Sequence, residues 1–370
     1  MRVSETIKRL KATRPKMAEA RTDRLTDLPA FGRNPGNLRA RIYLPDHLPA
    51  GAPLVVVLHG CTQNAAGYDE GSGWSRLADR HGFALLFPEQ QRANNSNLCF
   101  NWFQPGDATR GAGEAESIRQ MVERVTDRHG VDRTRVFVTG LSAGGAMASV
   151  MLATYPELFA GGAVIAGLAY GCATDLGEAL ACMSGRGRAA PTILGNAVRA
   201  ASPHRGPWPR VSVWHGSADH IVNSGNGDDV VQQWLSVHSL EGARGTSDRI
   251  DGYPRRQWRG PDGRVLVEQL EITGMGHGTP LDPGQVDGKS GVAGPHMLDV
   301  AISSTDRIAE FWGIADQAKV SQPRRPAPVA NGMVESIPRL IPTPIPPAAR
   351  PTSSVQATIE NALRSAGLMR

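Results

Sequence analysis

Gly140-Leu-Ser-Ala-Gly144 sets one serine between two glycines, behind the strand-like run Val136-Phe-Val-Thr139 and ahead of small, helix-forming residues. Small residues two before and two after Ser142 let a strand turn abruptly into a helix, with the serine hydroxyl exposed at the tip. The helix then aims its free N–H groups and positive dipole end at any oxyanion that forms beside that hydroxyl. The chemistry open to such a residue is nucleophilic attack on a carbonyl. A structural strand-to-helix turn can use the same letters, so the reading depends on partners elsewhere in the chain.

A serine nucleophile needs a base, and the base needs an acid to orient it. Val211-Ser-Val-Trp-His215 reads as a strand, and Asp219 follows just past its end. Capping the helix expected over 228–239 would be its alternative role, but it lies too far upstream. His277 sits in Gly274-Met-Gly-His-Gly278, after the strand expected over 265–273, where glycines let a loop fold back over the sheet edge. Ser142, Asp219 and His277 thus stand in the chain order serine, acid, histidine. One nitrogen of His277 would take the serine proton while Asp219 fixes the tautomer through the other. Other histidines compete, among them His215, His220 and His296; His215 is read as a strand-end residue and His220 as lining the pocket. For the oxyanion, the apolar strand Leu54-Val-Val-Val-Leu58 opens into the His59-Gly60 turn. The backbone amides of Cys61 and Ala143, each just past a turn, are assigned as its donors.

Four separated motifs carry a family resemblance: His59-Gly-Cys-Thr-Gln63, Cys99-Phe-Asn-Trp-Phe103, Gly140-Leu-Ser-Ala-Gly-Gly145 and Ala169-Tyr-Gly-Cys172. From about Leu38 to Trp312 the chain resembles esterases of the polyhydroxybutyrate (PHB) depolymerase type, in the α/β-hydrolase superfamily. Feruloyl and acetylxylan esterases are similar to this group in fold and elbow. The resemblance implies Ser142 as nucleophile, Asp219 as acid, His277 as base and the His59-Gly60-Cys61 turn at the oxyanion hole. Substrate binding is assigned to His59, Gln63, Asn101, Trp102 and His220. Trp102 and Phe103 would form an aromatic wall for an acyl chain, and Gln63 would also steady the oxyanion turn. The expected reaction is hydrolysis of short hydroxyacyl esters through an acyl-enzyme, without a metal or organic cofactor. Feruloyl or acetylxylan ester hydrolysis is the alternative, and a non-catalytic binding role on a hydrolase scaffold is the alternative of another class.

The fold expectation follows from alternation. Strands expected at 38–44, 54–59, 84–88, 135–139, 162–166, 211–215 and 265–273 are separated mostly by helical stretches at 75–81, 114–129, 146–155, 228–239 and 305–311. Strands alternating with crossover helices require a mainly parallel central sheet with helices on both faces. This is an α/β chain of the α/β-hydrolase architecture, its catalytic loops gathered at the strand C-termini. The division expected is a basic N-terminal leader over 1–37, a catalytic domain over 38–315, a proline-rich linker or tail over 316–354, and a short helix or disordered tail over 355–370.

The four cysteines include no CxxC and no His/Cys cluster, which argues against zinc. Two bridges, Cys61–Cys99 and Cys172–Cys182, are one reading; buried thiols packed as small hydrophobes are the other. Composition adds exclusions. Hydrophobic residues make up 40% of 370, enough for a substantial core, and no apolar run approaches the ~20 residues of a membrane span. Net charge is +5, but arginine is scattered rather than striped beside aromatics, so no nucleic-acid partner is expected. The partner expected is a small or oligomeric ester, with a polyester as its extended form; oligomeric state is left open. No signal-like apolar segment follows the basic leader, so the compartment expected is cytoplasmic. The alternative, extracellular or periplasmic, is the one the family resemblance implies.

Overall fold

The computed structural model describes residues 23–283 and 289–315. Its strands are β1 (Thr26–Asp27), β2 (Arg39–Tyr43), β3 (Leu54–Leu58), β4 (Ala84–Glu89), β5 (Val136–Leu141), β6 (Gly161–Ile165), β7 (Arg210–Gly216), β8 (Thr246–Ile250), β9 (Tyr253–Arg259), β10 (Val265–Ile272), β11 (Thr279–Leu281) and β12 (Met297–Asp299). The helices are α1 (Ala65–Ser72), α2 (Trp74–His81), α3 (Pro105–Ala108), α4 (Gly113–His129), α5 (Ala143–Thr154), α6 (Leu176–Met183), α7 (Pro191–Ala200), α8 (Gly225–Val237) and α9 (Ser304–Trp312).

Ten strands form one sheet in the order β1-β2-β4-β3-β5-β6-β7-β10-β9-β8. Its centre, β4 through β10 in that order, is parallel, and the antiparallel pairs lie at the two edges. Both faces of the centre are covered, which is why its strands read as unbroken apolar runs. Period-two alternation divides each strand between two cores. In β3, Leu54, Val56 and Leu58 face one core while Val55 and Val57 face the other. The same split runs through β4, with Ala84 and Leu86 against Leu85 and Phe87. The α/β-hydrolase architecture expected from alternation is the one observed.

Three differences from the sequence expectation have physical causes. First, residues 23–37 are not a solvated leader: Leu25 and Leu28 are buried, β1 pairs with β2, and Arg24 donates to Ser75, Tyr43 and Asp79. Basic residues there hid a short docking strand. Second, β8 and β9 form a hairpin at an exposed edge, where a polar sequence with Pro254 is suited to an unpaired border. Its signal was Asp251-Gly252, both with positive φ (48° and 87°), the turn chemistry of a tight hairpin. Third, α5 starts at Ala143 rather than Ala146, because Gly144 and Gly145 belong to its first turn. The expected linker at 316–354 and the expected terminal helix at 355–370 lie outside the described residues, as do residues 1–22.

Candidate active site

Ser142 connects β5 to α5 with φ 57° and ψ −118°, a positive φ that side-chain-bearing residues rarely adopt. Strain of this kind persists only when the surroundings over-determine it. Here the two glycines of the motif supply the determination. A Cβ on Gly144 would stand 2.3 Å from the Leu58 carbonyl oxygen and 2.5 Å from that of His59, and one on Gly140 would stand 2.4 Å from Gly144. The elbow is therefore pressed directly onto the end of β3, where the His59-Gly60 turn begins. Ser142 stays partly exposed between the buried residues Leu141 and Ala143.

Asp219 and His277 come from the loops after β7 and β10, neighbouring parallel strands. These loops are stitched together: Ser217 N–H donates to the Ile272 carbonyl at 3.1 Å, Ala218 N–H to Met275 at 3.0 Å, and Gly274 N–H to the Ser217 hydroxyl at 2.8 Å. The seam is close enough that a Cβ on Gly216 would stand 2.3 Å from the Met275 carbonyl oxygen. Across it, His277 Nδ1 lies 2.7 Å from Asp219 Oδ2. The other carboxylate oxygen accepts from the Ile221 and Val222 amides, both at 2.9 Å. Burial works to raise the Asp219 pKa. Hydrogen bonds from His215 and His277, the charge of His277 and the Val222 amide outweigh it and hold the carboxyl well below its usual range. With Nδ1 committed to Asp219, Nε2 is the nitrogen left to accept a proton. The structure joins acid to base; among the described residues no hydrogen bond joins the Ser142 hydroxyl to His277.

The His59-Gly60-Cys61 turn is held by its neighbours. Gly60 N–H donates to Gln63 Oε1 at 2.8 Å, and Thr62, with φ 63°, donates to the Asn97 carbonyl at 2.7 Å. Between these two, the Cys61 amide has no hydrogen-bond partner among the described residues, and neither has the Ala143 amide. A bridge with an S–S distance of 2.11 Å joins Cys61 to Cys99 and ties the turn to the Asn101-Trp102 loop.

A family model described as Esterase PHB depolymerase matches residues 38–256. The chain belongs to the PHB depolymerase esterase family. Poly(3-hydroxyalkanoate) depolymerase C of Paucimonas lemoignei is 49% identical over 291 residues, spanning 78% of this chain and 70% of that protein. Acetylxylan esterase of Coprinopsis cinerea is 35% identical over 276 residues, 73% of each. Among solved structures, acetyl xylan esterase from Aspergillus awamori superposes with a TM-score of 0.67 at 27% identity, covering 79% of this chain and 99% of that one. This PHB depolymerase family member is a carboxylic ester hydrolase on an α/β-hydrolase fold.

Residues singled out for substrate binding divide on inspection. His59 is 1% exposed; its Nδ1 lies 2.8 Å from the Gly60 carbonyl, and its Nε2 accepts the Gln90 amide at 3.1 Å. Burial lowers its pKa and keeps it neutral, so it braces the turn and has no ring nitrogen to offer a substrate. Asn101 is likewise spent internally, its amide nitrogen on Asp107 at 3.1 Å and its carbonyl on Asn95 at 3.1 Å. Gln63 steadies the turn as expected. Trp102 is 9% exposed and packs in the core, edge-on to the half-buried Phe103 at 5.3 Å, so Phe103 is the more available of the two rings. His220 is exposed beside Asp219.

Beneath this loop lies Glu114, a buried carboxyl that receives Gln90 Nε2 and the Asn101 amide. Burial first, then the charge of Asp107, pushes its pKa up to about 8. Nothing in its spacing marked it, because its partners are distant in sequence. The second expected bridge is not formed: Cys172 and Cys182 are free thiols, and the Cys182 thiol donates to the Cys172 carbonyl at 2.7 Å instead. Two histidines acquire roles the sequence did not announce. His215 shares the carboxylate oxygen of Asp219, and His296, at φ 59°, hydrogen-bonds the His277 carbonyl at 3.1 Å with its ring edge-on to His277. Among the described residues no His, Cys, Asp or Glu cluster is arranged to hold a metal, and no helix is long and apolar enough to cross a membrane.

Proposed function

We propose that Ser142, His277 and Asp219 form the relay of this esterase, and that it hydrolyses short hydroxyacyl esters such as 3-hydroxybutyrate oligomers. Ser142 Oγ attacks the ester carbonyl as His277 Nε2 takes its proton. The Cys61 amide after β3 and the Ala143 amide at the elbow, both unpaired among the described residues, receive the oxyanion. The alcohol leaves with the imidazole proton, and water repeats the attack on the acyl-serine. The observation that carries the reading is the 2.7 Å contact of His277 with Asp219, on loops at the same end of the sheet as the strained serine.

The 49% identity to a poly(3-hydroxyalkanoate) depolymerase supports hydroxyacyl esters, and by extension solid polyester, as substrate. Acetylxylan and feruloyl esterases among the relatives at 30–35% identity keep acetyl and feruloyl esters as the second reading. Purified enzyme is to be assayed on 3-hydroxybutyrate oligomers, solid polymer, acetylated xylan and ethyl ferulate. The oligomers are expected to give the highest kcat/KM; a larger value on acetylated xylan or ferulate would replace the first reading by the second.

The Cys61–Cys99 bridge supports an oxidising compartment, the extracellular or periplasmic alternative rather than the cytoplasmic expectation. A nonreducing peptide map of protein from its native host should recover Cys61 and Cys99 as one linked pair. Both recovered as free thiols would favour the cytoplasm.

A further inference from the structure

His215, at the end of β7, makes a second imidazole contact to the acid. Its Nε2 lies 3.3 Å from Asp219 Oδ2, the oxygen that also receives His277, and 2.9 Å from the Val222 carbonyl. That N–H hydrogen-bonds the Val222 carbonyl and stands within ion-pair distance of the carboxylate oxygen, so its positive end faces both. The side chains of His215 and Asp219 are 5% and 0% exposed, so water does not dilute the contact. The ring is wedged against α8 where that helix has no side chain, a Cβ on Gly227 falling 3.1 Å from His215 Nδ1. Among the described residues that buried Nδ1 has no hydrogen-bond partner. An unpaired buried nitrogen costs stability, and a phenylalanine in this slot would avoid the cost. What phenylalanine cannot supply is the N–H on Asp219.

We propose that His215 is a positioning residue for catalysis, which holds the Asp219 carboxylate through Oδ2 and moderates how strongly that oxygen pulls on His277. The inference rests on the relay proposed above. A donor on Oδ2 withdraws charge that would otherwise favour the imidazolium of His277. Without it, Oδ2 becomes the stronger acceptor, His277 holds its proton to higher pH, and the free base appears later. Among the described residues, the titratable groups around the carboxylate are His215, His277 and, edge-on to His277 at 5.7 Å, His296; α8 meets the His215 ring at Gly227. Asp219 itself is held ionised, so the acid limb of the rate profile reports the histidine.

The test compares kcat/KM against pH, with a p-nitrophenyl butyrate substrate, for wild type and the variants His215→Gln, His215→Asn and Asp219→Asn, with Tm for each. Glutamine places its amide nitrogen the same number of bonds from the backbone as His215 Nε2; asparagine is polar but one bond short. His215→Asn is expected to move the acid limb to higher pH by about half a unit to one unit and to lower kcat about threefold to tenfold, with KM little changed. His215→Gln should restore both. Superimposable wild-type and His215→Asn profiles, with only Tm lowered, would reduce His215 to a structural tie for the 216–222 turn and overturn the proposal. So would equal displacement of the limb by both variants. Asp219→Asn separates the two layers: if it retains wild-type activity the relay itself falls, whereas collapse of Asp219→Asn beside an unshifted His215→Asn removes only the positioning role.

Discussion

Ser142→Ala should lower kcat on any ester by at least about 10⁴-fold, leaving the residual rate that bound donors and binding alone provide. The melting temperature should hardly change. Among the described residues the hydroxyl makes no hydrogen bond, and alanine is expected to keep the same strained backbone at φ 57°. Asp219→Asn should cost a comparable factor, about 10⁴, by leaving His277 in the wrong tautomer. Because the residues act as a unit, the double variant should be no slower than Ser142→Ala alone. Turnover of p-nitrophenyl butyrate and a thermal melt for the three variants check this. Full activity in Ser142→Ala would end the serine mechanism; additive losses would mean that Asp219 acts outside the relay.

Gly144→Ala is expected to be severely damaging. The added carbon would meet the Leu58 and His59 carbonyl oxygens at 2.3 and 2.5 Å, backbone atoms that cannot rotate away. Either α5 lifts from β3 or the oxyanion turn is displaced, and both separate Ser142 from the Cys61 amide. A loss above about 4 kcal/mol is expected, in the range reserved for overpacking and broken backbone geometry. Gly106→Ala is the control, since nothing lies within 4 Å of its Cβ, and there the change should be neutral or slightly stabilising. Denaturant melts of the two variants give the comparison. A Gly144→Ala protein as stable and active as wild type would show that the close approach is not required.

Much of the framework was legible because the physics behind it is local. Strands such as β3 and β4, buried on both faces, announce themselves as apolar runs, and the elbow as glycine spacing. The hydrogen-bonded pair Asp219 and His277 was reachable because chain order and strand-end placement constrain it. The polar hairpin of β8 and β9 was missed because an exposed edge strand has no apolar period to detect. So were α6 and α7, short helices with mixed surfaces in the segment between β6 and β7. Asn101 and His59, the latter also readable as a buried packing residue, were assigned to substrate, and their polar atoms are consumed by neighbours that only folding brings near. Glu114, His215 and His296 were silent for the same reason: their importance lies in partners on other elements. The four cysteines divide between the two readings, since Cys61 and Cys99 form a bridge while the Cys182 thiol donates to the Cys172 carbonyl instead.

The seam between the loops after β7 and β10 has a consequence for the energetics of turnover. In the relay proposed above, each turnover would twice place and remove a positive charge on the His277 imidazole, and in water the surrounding dipoles would have to swing round each time. Here the responding carboxylate is already aimed, pinned by two amides on one oxygen and stitched through Ser217 and Ala218 to the loop that carries the imidazole. Little reorganisation remains to be done when the proton arrives. The enzyme has met that cost during folding, in the rigidity of the joint between these two loops.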